Sequence, residues 1–282
     1  MADRRTALPA LAAAAALAVA LPAAGQTWRT VSSSRQLAGE RELAVQVEYG
    51  AGRLKVEPAA AGLLYRFELR YDEERSRPVT EYDRAGGRLR LGLDNVRNRS
   101  LRGRQSGRAD VALSPEVPLT LDLAFGAGEA DVELGGLSLQ RVELSTGASD
   151  SEIRFSAPNR IEADEVRVEA GAAHLEVMGL GNSRARRFAF EGGLGDATLD
   201  FSGAWTRSAE VSVEMGMGSV TLRIPRSLGV RVEKDSFLAS FDAPGMVRRD
   251  GAWFTRNWDD ARHRLTISID AAIGSIDIDW ID

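Results

Sequence analysis

The chain has 282 residues, 36 lysines and arginines against 41 aspartates and glutamates, a net charge of −5, and no cysteine. Disulfides, thiolate zinc sites and iron–sulfur clusters are therefore excluded, and His174 and His263, its only histidines, are too few for a histidine-based transition-metal site. Twenty-eight glycines suit a chain that turns often.

Residues 1–25 read as a secretory signal. Arg4 and Arg5 form the positive start, Ala7 to Leu21 is an uncharged Ala- and Leu-rich run, and Ala23-Ala24-Gly25 places small residues before a cleavage at Gln26. A run this short reads as a cleaved signal, not a membrane span, and without cysteine a lipoprotein anchor is excluded. The expectation is export, to the periplasm or the cell surface, with no transmembrane segment after cleavage. Loss of Asp3, Arg4 and Arg5 takes the net charge to −6.

Residues 26–110 read as a β-rich section. Leu43 to Val56, Leu63 to Tyr71 and Arg88 to Leu93 alternate as strands do, punctuated by Pro78, Gly86-Gly87 and Gly103. This section is expected to cover one open end of the stack that follows, because bare strand edges invite unwanted pairing. Arg84 to Arg108 holds eight arginines against the single acid Asp94. Arg97, Arg99, Arg102, Arg104 and Arg108 are thus candidates for docking on an anionic surface, although a plain solvated loop has the same composition. No aromatic residue lies between Tyr82 and Phe125 to provide stacking, and export also argues against nucleic acid.

From residue 111 onward one pattern recurs: alternating apolar residues, a glycine, a small or apolar residue, a second small residue, then alternation again. Its cleanest copy is Val211-Ser-Val-Glu-Met-Gly216-Met-Gly218-Ser-Val-Thr-Leu-Arg-Ile224. The anchors are Gly126, Gly147, Gly171, Gly193 and Gly216, with steps of 21, 24, 22 and 23 residues, an outlying early copy at Gly50 and a last copy at Ala272 and Gly274. A regular period of about 22 residues is the mark of a solenoid with one coil per repeat. The expected fold is therefore all-β: a parallel, β-helix-like solenoid spanning residues 111–282 with a β-rich N-terminal cap at 26–110. In each copy the core face survives a step of three, Met217 to Val220, so the chain must bend there. Gly50, Gly126, Gly147, Gly171, Gly193, Gly216 and Gly274 are expected as structural corners, with positive φ or bulge geometry available at both glycines of each Gly-x-Gly. Residues 229–264 interrupt the repeat and read as a loop or hairpin excursion. Its Trp253, Phe254 and Trp258 read either as a binding tip or, preferably, as a lid folded onto the last coil.

Val45-Gln-Val-Glu-Tyr-Gly-Ala-Gly-Arg-Leu-Lys-Val56 and Val117-Pro-Leu-Thr-Leu-Asp-Leu-Ala-Phe-Gly-Ala-Gly-Glu-Ala-Asp-Val132 resemble the N-terminal domain of the bacterial toast-rack family. The closing Asp270-Ala-Ala-Ile-Gly-Ser-Ile-Asp-Ile278 is similar to the C-terminal part of LiaF-like proteins, the cell-wall-active antibiotic response group. The resemblance implies an envelope-facing β-solenoid of an adhesin-like group with no described catalytic residues. The multi-pass membrane segment of the LiaF arrangement is missing here, which puts a direct role in sensor-kinase control in doubt.

No catalytic, cofactor or metal residue is assigned. The Gly-x-Gly corners lack the third glycine of a dinucleotide loop and the Gly-Lys-Ser/Thr of a P-loop, and no Gly-x-Ser-x-Gly elbow occurs. Outward acids, Asp196 with Asp200, Glu129 with Asp131, and Asp277 with Asp279, leave open a carbohydrate-active enzyme or a calcium site. The expectation is an exported, non-enzymatic binding or structural module of the cell envelope. Its partner is an envelope protein, a polysaccharide or an anionic lipid surface.

Overall fold

The computed structural model describes residues 27–95 and 107–282. The expected export signal, and Arg97, Arg99, Arg102 and Arg104, lie outside them. The strands are β1 (Trp28–Gln36), β2 (Leu43–Pro58), β3 (Leu63–Asp72), β4 (Ser76–Asp83), β5 (Arg88–Asn95), β6 (Arg108–Leu113), β7 (Leu119–Glu133), β8 (Leu139–Arg154), β9 (Ala163–Met178), β10 (Ala185–Asp200), β11 (Ala209–Pro225), β12 (Gly229–Asp242), β13 (Val247–Arg249), β14 (Ala252–Phe254) and β15 (Arg264–Ile281). The one helical piece among the described residues is a 3-10 turn, Leu180–Ser183.

All fifteen strands of the described residues join one sheet. Its body is the parallel stack β2-β7-β8-β9-β10-β11-β15-β12. Each long strand bends near its middle into two legs, and a short return segment leads to the next coil. The alternation explains which face is inside: Val211, Val213 and Met215 are buried on the first leg of β11, and Val220, Leu222 and Ile224 on the second. Register carries these residues into ladders. Val213 pairs with Phe190 and Ile269, and Leu222 with Leu199 and Ile278. Each such side chain contributes roughly 1.5–3 kcal/mol by leaving water. Leu134, Leu137, Phe155, Leu180, Phe201 and Leu228 from the return segments close the core.

Three asparagines tie the returns to the coils. Buried Asn159 accepts from the Leu139 amide (2.7 Å) and donates to the Leu139 and Ile161 carbonyls (2.8 and 2.9 Å). Asn182 donates to the Phe155 carbonyl, and Asn257 to those of Arg226 and Leu228. These bonds satisfy backbone groups that the ladder leaves over.

The bends separate the roles of the two glycines. Positive φ belongs to the second one, at Gly52, Gly128, Gly195, Gly218 and Gly274, and not to Gly50, Gly126, Gly147, Gly171, Gly193 or Gly216. The expectation that either glycine takes this geometry is corrected accordingly. The first glycine answers a different constraint. A β-carbon on Gly216 would lie 2.6 Å from the Gly193 carbonyl oxygen, and Gly126, Gly147, Gly171 and Gly193 each face the carbonyl of the preceding coil's glycine in the same way. Gly218 combines both limits, since a β-carbon there would collide with the Gly195 carbonyl oxygen at φ 143°. Ala272 at the first position of the last copy leaves the left-handed conformation there to Gly274, at φ 138°.

At the N-terminal end, β5 runs parallel to the first leg of β2 and β6 parallel to the second. Together they form a split outer layer on which β4, and β3 with β1, pack antiparallel. The boundary read at residues 110/111 is not a break in the sheet, because β2 pairs with β7 along both legs. The sequence pattern misses β1 and β4 for local reasons. β1 is serine-rich and mostly exposed, and β4 carries Pro78, which only an edge strand accepts.

At the other end, spatial and chain order part. Residues 229–242 are not an excursion. They form β12, the outermost coil, and the C-terminal strand β15 enters between β11 and β12. The excursion proper is the β13–β14 hairpin, which pairs with β12 at Arg231 and Val232. Trp253 packs on Phe241 (5.8 Å between centroids) and Phe254 on Trp258 (5.6 Å). The aromatic segment thus lies over the outermost coil β12, not the coil that is last in sequence.

Gly218→Ala is expected to destabilise the chain more than Gly216→Ala, on the order of 1–3 kcal/mol for the strained backbone alone. Urea unfolding of the two variants checks the order; equal losses would remove the distinction drawn between the two glycines. A second expectation concerns Tyr49 at the bend of β2. Its ring stacks on Phe125 at 6.2 Å and its hydroxyl is buried without a partner among the described residues. Burial, with the charge of Asp110, pushes its phenol up to about 12. The stabilisation from keeping it protonated is full below about pH 10, the ordinary phenol value, and is lost as pH rises through 12. Tyr49→Phe should therefore stay within about 1 kcal/mol of the parent at pH 7 and gain on it between pH 10 and 12, as read by thermal melts across that range.

Candidate functional site

The outward acids expected as an enzyme pair serve the stack. Glu129 pairs with Arg53 of the neighbouring coil (2.7 Å), Asp131 with Arg154, and Asp279 with Arg223 (3.6 Å), while Asp277 accepts from the Ser275 hydroxyl (3.0 Å). Asp196 accepts from the Ser219 hydroxyl. Asp200 departs from the expectation of an exposed acid. It is buried, accepts from the Ser202 amide (2.7 Å) and faces Arg223 (3.2 Å), because the return segment folds over it. No group of three or more metal-ligating side chains converges among the described residues. His174 is exposed beside Glu176 (3.6 Å), and burial with the nearby Arg262 lowers the His263 pKa. Arg108, the one described member of the arginine set, is held by Asp110 through two hydrogen bonds (2.7 and 2.8 Å).

The corners carry a surface that the pattern did not single out. The residue in the middle of each corner sits at the tip of the bend, and register aligns these tips from coil to coil. They are Ala51, Ala127 and Ala148 in the first three coils, and Ala172 in β9 aligns with Leu194 in β10. Leu194 then aligns with Met217, Ile273 and Leu238 in β11, β15 and β12. These four are 54%, 49%, 43% and 64% exposed, and among the described residues Val247 is the one other large apolar side chain so exposed. Strands lie about 4.8 Å apart, so the four tips form an apolar ridge about 14 Å long. Isolated exposed apolar residues are ordinary, but an aligned row is not.

A second column runs beside the ridge. Glu169, Glu191, Glu214, Asp270 and Asp235 occupy one register position on five adjacent strands. The first four border a shallow groove of about 640 Å³ whose floor is Gly171, Gly193, Gly216 and Ala272. The groove exists because those positions have no side chain beyond a methyl group. Of the five acids, Glu191 alone has a cationic partner among the described residues, Arg167 at 2.5 Å. Like charges on neighbouring strands repel, by roughly 1 kcal/mol per pair at 4–5 Å in water. Neither column helps the fold: one leaves apolar surface in water and the other stacks carboxylates. The signal was present in sequence as the change from alanine to Leu194, Met217 and Ile273 at the middle of the corner, but alternation alone gave no orientation for a residue at a bend.

Neutralising the column is expected to stabilise the protein. Glu214→Gln, between two acids, should raise the melting temperature at low salt, and the gain should shrink at 1 M salt, where charge interactions are screened beyond about 3 Å. A melting temperature unchanged at low salt would mean that the carboxylates do not repel.

Over 90% of its length the chain is similar to a candidate cell adhesion protein of Clostridium sporogenes, covering 100% of that chain at 16% identity with a TM-score of 0.47. It is also similar to a candidate adhesin of Bacteroides fragilis (11% identity, 90% of this chain and 98% of that one, TM-score 0.43). A candidate lipid-binding protein of Parabacteroides distasonis is a third (10% identity, 90% and 97%, TM-score 0.32). No curated protein matches the chain. Residues 24–178 match the family model of the toast-rack N-terminal domain, DUF2154, which is more than half of the chain, and the protein therefore belongs to that family.

Proposed function

We propose that this protein is an exported, non-enzymatic binding module of the bacterial cell envelope that docks a partner along the corner ridge of its C-terminal coils. The observation that carries this reading is the row Leu194, Met217, Ile273 and Leu238, four exposed apolar side chains in register. A surface that costs the fold solubility and returns no packing is explained by a partner that covers it. Membership of the toast-rack family supports a non-enzymatic role. The pattern of residues 1–25 supports export. The acids that the sequence singled out, Glu129, Asp131, Asp196, Asp277 and Asp279, are tied into ion pairs and hydrogen bonds between and within coils, which weighs against their serving as a glycosidase pair.

Photocrosslinking in living cells tests the reading. A photoreactive residue at position 217 should give adducts in the envelope fraction, and the same residue at Thr221, on the second leg of β11, should give few. Equal yields from the two positions, or a protein found only in the cytoplasm, would remove the proposal.

A further inference from the structure

The ridge and the acid column together say what kind of partner fits, an inference that rests on the docking role just proposed. We infer that the corner takes a protein segment carrying an apolar strip bordered by lysines or arginines, such as one face of an amphipathic helix.

The argument begins with what borders the ridge. On one flank stand Glu169, Glu191, Glu214, Asp270 and Asp235, four of them without a cationic partner among the described residues. On the other flank, one position beyond the second small residue, are Asp196, Ser219, Ser275 and Ser240. The apolar strip is therefore edged by negative charge on one side and by hydroxyls and one more acid on the other. An anionic bilayer would be repelled by the column, and a neutral one would have to take carboxylates toward its interior as the ridge entered. A second copy meeting corner to corner would set one acid column near another. A segment with apolar residues along one stripe and cations beside it satisfies both columns at once, covering the ridge and supplying the charges that the acids lack.

Length favours a helix lying along the stack. The ridge of about 14 Å corresponds to between two and three helical turns of 5.4 Å, so apolar residues at i, i+3 or i+4, and i+7 would follow it. The glycine-floored groove beside the ridge has room for long cationic side chains to reach Glu169, Glu191, Glu214 and Asp270.

The test uses the full chain and a fluorescently labelled 18-residue helical peptide of leucine and lysine, leucines on one stripe and lysines on its borders. A scrambled peptide of the same composition is the control. Fluorescence anisotropy should show at least tenfold tighter binding of the ordered peptide than of the scrambled one. The triple variant Leu194→Ser, Met217→Ser, Ile273→Ser should lose that preference. The triple variant Glu191→Gln, Glu214→Gln, Asp270→Asn should bind at least tenfold more weakly and with a flatter salt dependence. All these positions are at the surface, and circular dichroism melts confirm that the variants fold. Equal binding of the two peptides by the parent, or unchanged binding by either variant, overturns the inference. If position 217 still crosslinks in the envelope while the peptides bind alike, the partner chemistry is wrong and the docking role stands. If the parent floats with phosphatidylcholine vesicles, or sediments as a dimer that the serine variant disperses, without preferring the ordered peptide, the occupant is lipid or a second copy and the inference fails.

Discussion

A strand must bend in mid-course without letting go of the strands on either side. That constraint governs this molecule. Parallel neighbours stay about 4.8 Å apart through the corner, so the backbone of each coil presses on the backbone of the coil before it. A β-carbon on Gly126, Gly147, Gly171, Gly193 or Gly216 would meet that neighbour's carbonyl, and the second position needs a left-handed conformation in Gly52, Gly128, Gly195, Gly218 and Gly274. The ladders on both legs, the inward face and the even period all depend on the corner being made this way.

The same geometry creates the candidate site. At a corner the alternation of in and out fails, and the residue between the two small positions has nowhere to go but outward. Alanine there is harmless, as at Ala127, Ala148 and Ala172. Leucine, methionine and isoleucine there form a ridge, because register places Leu194, Met217 and Ile273 side by side. The glycines leave an open strip, and the acids two positions upstream stand along it. Structural necessity thus supplies the floor of the groove, while the ridge and the carboxylates are additions that the fold does not require.

A stack also has two ends, and each is finished differently. The N-terminal end splits its outer layer into β5 and β6 and covers it with antiparallel strands. The C-terminal end slides β15 between β11 and β12, so the last strand made is paired on both sides while β12 takes the edge. Short β13 and β14, with Arg248 and Arg249 outward, shield part of that edge, and charged side chains on an edge discourage further pairing.

Much of this was legible from residue order alone. Repetition of one bend motif every 21–24 residues specifies a stack, and alternation specifies which side chains enter its core, because both depend only on local geometry. Toast-rack membership was visible in the segments around Gly50 and Gly126 for the same reason. Other features needed the tertiary structure. β12 has no glycine at its bend, so nothing local marks it as a coil; its pairing with β15 does. Asp200 looks like any outward acid until the return segment covers it and Arg223 approaches from the next strand. The ridge and the acid column are each made of residues some 22 or more positions apart, and only register brings them into line. Local sequence decides what a residue does to its own stretch of chain, whereas a surface built from one residue per coil exists only once the coils are stacked.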